Sequence, residues 1–109
     1  MKLRWQGNLQ KNPRQILEQA GYHHFIDPNT AQASFIMRLG RGYYPRFHIY
    51  VRSQTPKKGE LNLHLDQKHP SYTGQTKHSG EYESPQVQKE LARLQRWIKY
   101  YLIAGEQKL

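Results

Sequence analysis

The sequence predicts a two-layer α+β domain. An antiparallel sheet of three or four strands carries an N-terminal and a C-terminal helix on one face, in α-β-β-β-α order. Three observations predict it. Residues 46–52 and 60–66 each alternate strictly between apolar and polar side chains, as half-buried strands do. Residues 85–102 repeat apolar side chains at helical spacing. A short capped helix precedes the strands, so helices stand at both ends of a meander.

The first helix starts at Asn12-Pro13-Arg14-Gln15, where Asn12 can cap, Pro13 suits the first helical position and Gln15 completes a capping box. Ile16, Leu17 and Ala20 form its packing side, and Gly21 stops it. Tyr22–Ile26 is read as an extra short strand before the meander, followed by the turn signal Asp27-Pro28-Asn29-Thr30.

Ser34–Leu39 is the next strand and leads into Gly40-Arg41-Gly42. In 46–52, Phe47, Ile49 and Val51 point to one face while Arg46, His48, Tyr50 and Arg52 point to the other. Pro56-Lys57-Lys58-Gly59 makes a hairpin to the next strand. There Leu61, Leu63 and Leu65 join the core, and Asn62, His64 and Asp66 share the polar face.

From 67 to 83 the period disappears, and this long polar loop is broken by Pro70, Gly74 and Gly80. Ser84-Pro85 then starts the second helix, with Val87, Leu91, Leu94, Ile98 and Leu102 as its apolar stripe. Lys89, Arg93, Arg96 and Tyr100 fall opposite that stripe, and the helix is expected to end near Ala104-Gly105. The 109 residues form one domain, 1–109, with residues 1–11 and 105–109 expected to be loose.

Composition narrows the function. There is no cysteine, so disulfides, iron–sulfur clusters and thiolate zinc sites are excluded, and any metal must be held by imidazole and oxygen donors. Apolar runs are far shorter than a membrane span, and the expected location is cytoplasmic, with no membrane partner. No glycine-rich phosphate loop supports ATP or dinucleotide use, and nothing resembles a serine or cysteine nucleophile with a positioned histidine, so covalent hydrolysis is not expected.

Charge points to a polyanionic partner. Seventeen Lys and Arg against eight Asp and Glu give +9. Residues 28–59 carry Arg38, Arg41, Arg46, Arg52, Lys57 and Lys58 with no acidic residue. These, with Lys89, Arg93 and Arg96 on the second helix, read as phosphate contacts, and Tyr43, Tyr44 and Tyr50 as stacking surfaces. The leading expectation is therefore a small basic nucleic-acid-binding protein, for RNA more than DNA, that contacts mainly the phosphate backbone. The element order resembles that of double-stranded-RNA-binding domains and of small two-layer α+β toxin and nuclease domains. The resemblance is one of order alone and transfers no residue.

The histidines carry the alternative, a metal-assisted or histidine-based nuclease or phosphoesterase. His48 and His64 share the polar face and suit an acid–base pair, and Glu81 could be either a metal ligand or a base for bound water. In HLDQKH, His64 and Asp66 stand two residues apart on a strand, His69 can fold back toward them, and His78 adds a loop ligand. His64, Asp66, His69 and His78 thus form a candidate site for a divalent transition metal, Zn, Mn, Fe or Ni in preference to Mg. His23-His24 points to opposite faces of a strand and chelates poorly. A third expectation is a non-catalytic module in a ribonucleoprotein assembly, with a ribonucleoprotein partner or a homodimer formed through the open sheet face or an edge strand.

Overall fold

Local signals set both helix starts. Gln15 N donates to Asn12 Oδ1 at 2.8 Å and Asn12 N donates to Gln15 Oε1 at 3.2 Å, a reciprocal capping box that opens α1 (Pro13–Gln19). Gly21, at φ +108°, takes the left-handed conformation that ends this helix. Val87 N donates to Ser84 Oγ at 3.3 Å, and Pro85 occupies the first position of α2 (Pro85–Tyr101).

The computed structural model describes residues 1–26, 28, 31, 33–55, 57–67, 80–81 and 84–103, with backbone alone at 53, 54, 80 and 81. The strands are β1 (Lys2–Gln6), β2 (His23–Ile26), β3 (Ala33–Arg38), β4 (Arg46–Thr55), β5 (Lys58–Asp66) and β6 (Gly80–Glu81). All pairings are antiparallel, in the order β1-β5-β4-β3-β2, and β6 also pairs with β5. β1 lies against Lys58–Asn62 and β6 against Leu65 and Asp66, so the two short strands divide one edge of β5 between them. The expected α+β domain is present, with the short strand after α1 included.

The inner sheet face and the helices form one core. Phe35, Phe47, Ile49, Leu61, Leu63 and Leu65 pack in a single cluster with Ile16, Leu17, Val87, Leu94 and Ile98. Leu61, Leu63 and Leu65 are at most 1% exposed, and burying each such side chain contributes about 1.5–3 kcal/mol. The strict alternation of 60–66 therefore has a direct energetic cause, because a one-residue slip would send all three leucines to the other face.

Two expectations need correction. Residues 1–11 are not loose: Lys2-Leu3-Arg4-Trp5-Gln6 alternates and forms β1, with Leu3 and Trp5 buried in the core. Trp5 lies across Gly59, where a Cβ would approach its ring to 2.3 Å, so glycine at 59 makes room for the indole. The second helix stops at Tyr101, short of Ala104-Gly105. Leu102 turns to extended backbone and bridges Leu9, while Gln10 N donates to Tyr101 O at 2.9 Å and Ile103 N to Asn8 O at 3.0 Å. That pairing supplies partners for the helix end and keeps Leu102 buried without another helical turn.

Candidate metal centre

Two adjacent strands build the site. The two-residue period of β4 and β5 puts Arg46, His48, Tyr50, Asn62, His64 and Asp66 on the face away from the helices. The register sets Arg46 opposite Asp66, His48 opposite His64 and Tyr50 opposite Asn62. Directly paired side chains on one sheet face are within reach of each other, and here they converge on one carboxylate. Asp66 Oδ2 lies 2.9 Å from His48 Nδ1 and accepts from Arg46 Nε at 3.0 Å. Asp66 Oδ1 lies 2.8 Å from His64 Nε2.

This face is not the solvated surface that simple alternation suggests. Arg46 and His48 are 5% and 4% exposed, and Ser34 is fully buried. The guanidinium carbon of Arg46 lies 4.6 Å from the ring centre of Tyr43, 4.9 Å from that of Tyr44 and 5.1 Å from that of Phe25. Aromatic faces attract the cation, and among the described residues its Nη1 atom has no hydrogen-bond partner. Tyr50 stacks on His48 at 4.6 Å between ring centres and on His64 at 5.9 Å.

Electrostatics keep the carboxylate charged. Burial opposes ionisation of Asp66, but hydrogen bonds to His48, His64 and Arg46 outweigh it and hold the carboxyl well below the usual carboxylate range. Desolvation also works against the charge on Arg46, and hydrogen bonding to Tyr43 and Asp66 more than offsets it. The centre of the site is thus an ionised carboxylate backed by a buried guanidinium.

Ser34 was not legible as a site residue. It lies on β3, and its Oγ is 2.8 Å from His48 Nε2 and 3.3 Å from Phe25 O, to which it can donate. Ser34, His48 and Asp66 therefore form a hydrogen-bonded chain with the connectivity of a hydrolytic triad. A fully buried hydroxyl cannot reach a substrate, however, so Ser34 acts on His48 by orienting the ring. Its position two residues before Ile36, which pairs with His48, was the available signal.

The donor set fits a metal. One atom each from His48, His64 and Asp66 can be chosen so that all three lie within 4.8 Å of one another. Donors bound tetrahedrally at about 2.1 Å sit roughly 3.4 Å apart, so a set that already lies within 4.8 Å, with the two histidines on different oxygens of Asp66, needs modest readjustment to hold one ion. The three groups form a His/His/Asp cluster positioned to chelate a divalent metal ion, and nitrogen with carboxylate ligation suits Zn, Mn, Fe or Ni. With Nδ1 of His48 turned to the centre, Ser34 becomes the outer partner that fixes the other ring nitrogen.

The other predicted residues separate into groups. His48 joins the metal cluster, where the sequence had placed it only in an acid–base pair. His69 and His78 lie outside the described residues, and Glu81 is described only by the pairing of its backbone with Leu65. Arg38 and Tyr43 stand together at the rim, 5.0 Å from guanidinium carbon to ring centre, with Arg41 exposed nearby in sequence and Tyr44 half-buried. Arg52, Lys57 and Lys58 are exposed on β4, the hairpin and β5, whereas Lys89 and Arg96 are exposed on α2.

Two of the residues expected to contact phosphate are engaged by carboxylates of the chain itself, buried Arg46 and half-buried Arg93. Arg46 is held by Asp66, and Arg93 donates to Glu90 at 2.8 Å through Nε and through Nη2, and to Ala20 O at 2.8 Å. Each neutralises a carboxylate shielded from solvent, half-buried Asp66 and buried Glu90, which is the stronger demand on a cation than a solvent-facing position. Compared with protein-family models, curated proteins and solved structures, the chain matches none of them.

Proposed function

We propose that the protein is a metal-assisted phosphoesterase whose substrate is a nucleic-acid phosphodiester. One observation carries the reading: two imidazoles directly opposite each other on neighbouring strands meet a single ionised carboxylate. Three protein donors leave coordination positions for water and substrate, and a divalent ion there would activate water and polarise a phosphoryl oxygen.

The chain's own groups have distinct tasks in this reading. Asp66 and the two histidines hold the centre, Arg46 keeps Asp66 ionised, and Ser34 and Tyr50 restrain the rings. Arg38 and Arg41 offer exposed charge for the phosphate backbone, and Tyr43, 46% exposed, offers a ring at the same rim. Binding of nucleic acid without turnover would use the same exposed cations, and one assay separates the two readings.

The test is cleavage of a fluorogenic phosphodiester and of a labelled single-stranded RNA, each with Mn²⁺, Zn²⁺ or chelator. Metal-dependent cleavage, reduced at least a hundredfold in His64→Ala, is the expected result. RNA binding with no cleavage under any metal would replace the enzyme with a binding protein, and cleavage equal in His64→Ala would remove this site from the chemistry.

A further inference from the structure

The helix layer carries a second surface, on the opposite side of the sheet from the histidines. A groove of about 440 Å³ is lined by Gln19, Arg93, Arg96, Trp97, Tyr100 and Tyr101. Its rings are contiguous. Trp97 and Tyr101 lie nearly parallel, 13° between planes with centres 6.4 Å apart, and Tyr100 meets Tyr101 edge-on at 5.0 Å. Tyr100 is 74% exposed, the most exposed large hydrophobic side chain among the described residues.

Charge on this surface has one sign. α2 contains Lys89, Arg93, Arg96 and Lys99 against a single acid, Glu90. Glu90 is 6% exposed and bonded to Tyr22 and Arg93, so it leaves the surface. Lys89, Arg96 and Lys99 remain exposed. Lys89, Arg96 and Tyr100 fall on one side of the helix, and Lys89 to Tyr100 covers roughly 16 Å of axis at 1.5 Å per residue. A stacked strand carries about one phosphate per 3.4 Å, so several lie within that reach.

We propose that this face of α2 is a docking platform for single-stranded nucleic acid, with bases stacked on Tyr100 and Trp97 and phosphates on Arg96 and Lys89. Charge complementarity requires a polyanion, and the exposed ring of Tyr100 beside half-buried Trp97 selects one with unpaired flat bases. A duplex hides its base faces, and an acidic peptide has none. The platform does not depend on whether the histidine cluster turns over substrate; it adds a tether for a long polymer on the other layer.

The experiment is fluorescence anisotropy of a labelled twelve-nucleotide uridine RNA, with chelator present to prevent metal-dependent cleavage. Variants Tyr100→Ala and Arg96→Ala alter exposed side chains, and Arg14→Ala removes an exposed charge on α1 as a control. Affinity is expected to fall roughly five- to a hundredfold in Tyr100→Ala, to fall in Arg96→Ala with a salt slope lower by about one, and to hold in Arg14→Ala. The proposal is overturned if RNA does not bind, if all three variants bind like the parent, or if poly-glutamate displaces the RNA as well as unlabelled RNA does. Loss of cleavage in His64→Ala with RNA affinity retained bears on the phosphoesterase alone, so the two readings fail separately.

Discussion

Among the described residues, two carboxylates sit in bonding networks on opposite sides of the sheet, buried Glu90 and half-buried Asp66, and they differ in their company. Glu90, on the helix side, accepts from Tyr22 Oη at 2.6 Å and from two nitrogens of Arg93 at 2.8 Å. Asp66, on the outer face, also has an arginine, but its other partners are His48 and His64. A guanidinium and a phenol satisfy an acid and offer little else. Imidazole can exchange a proton for a metal ion, so a shielded carboxylate is a structural lock in one place and part of a coordination site in the other.

Removing either carboxylate should have the largest effect. Asp66→Ala and Glu90→Ala each strand a buried or half-buried arginine, and each is expected to lower stability by about 3–5 kcal/mol in urea denaturation. Only Asp66→Ala should also abolish metal uptake, measured by elemental analysis after dialysis. Metal retained by Asp66→Ala, or lost from Glu90→Ala, breaks the distinction.

Metal addition should follow in size. At a hundredfold excess over Kd, a divalent ion bound only by the folded state stabilises it by about 2.7 kcal/mol. Thermal melts with Zn²⁺ or Mn²⁺ should show this rise in the parent protein and in Glu90→Gln, reversed by chelator, and no rise in His64→Ala.

pH should weaken the two clusters from opposite ends. Asp66 is held below its ordinary value of 3.8, so its contribution is present above that pH and is lost as pH falls through the folded value. Tyr22 is raised above its ordinary value of 10.0, first by burial and then by the charge of Glu90, so its contribution is present below pH 10 and is lost on the alkaline side. Denaturation curves across pH should show a shallower acid limb in Asp66→Asn and a shallower alkaline limb in Tyr22→Phe. An acid limb unchanged by Asp66→Asn would assign acid sensitivity to other carboxylates.

Ser34→Ala should be the mildest change, roughly 1–2 kcal/mol, because one hydrogen bond to His48 is lost. Metal affinity should fall as well, about ten- to a hundredfold, since the ring loses the group that orients it. Calorimetric titration with Zn²⁺ checks this, and equal affinity would make Ser34 a packing residue only.

Much of this architecture could be read from the chain. Asn12-Pro13 and Ser84-Pro85 announce two helices through short-range bonding, and the alternation of 46–52 and 60–66 sorts side chains to two faces because successive residues on a strand point opposite ways. Lys2–Gln6 alternates in the same way, with Leu3 and Trp5 carrying the signal, although chain ends are commonly loose.

The sequence by itself determined which residues face outward on each strand, and therefore that His48, His64, Asp66 and Arg46 share a face. Only the tertiary structure decided the register that brings His48 level with His64 and Arg46 level with Asp66, because that alignment depends on long-range pairing. It also decided that Arg46 and Arg93 bond to Asp66 and Glu90, and that Ser34, fourteen residues before His48, holds its ring. Periodicity describes one strand or helix at a time; a site made where strands and loops meet is fixed by packing between them.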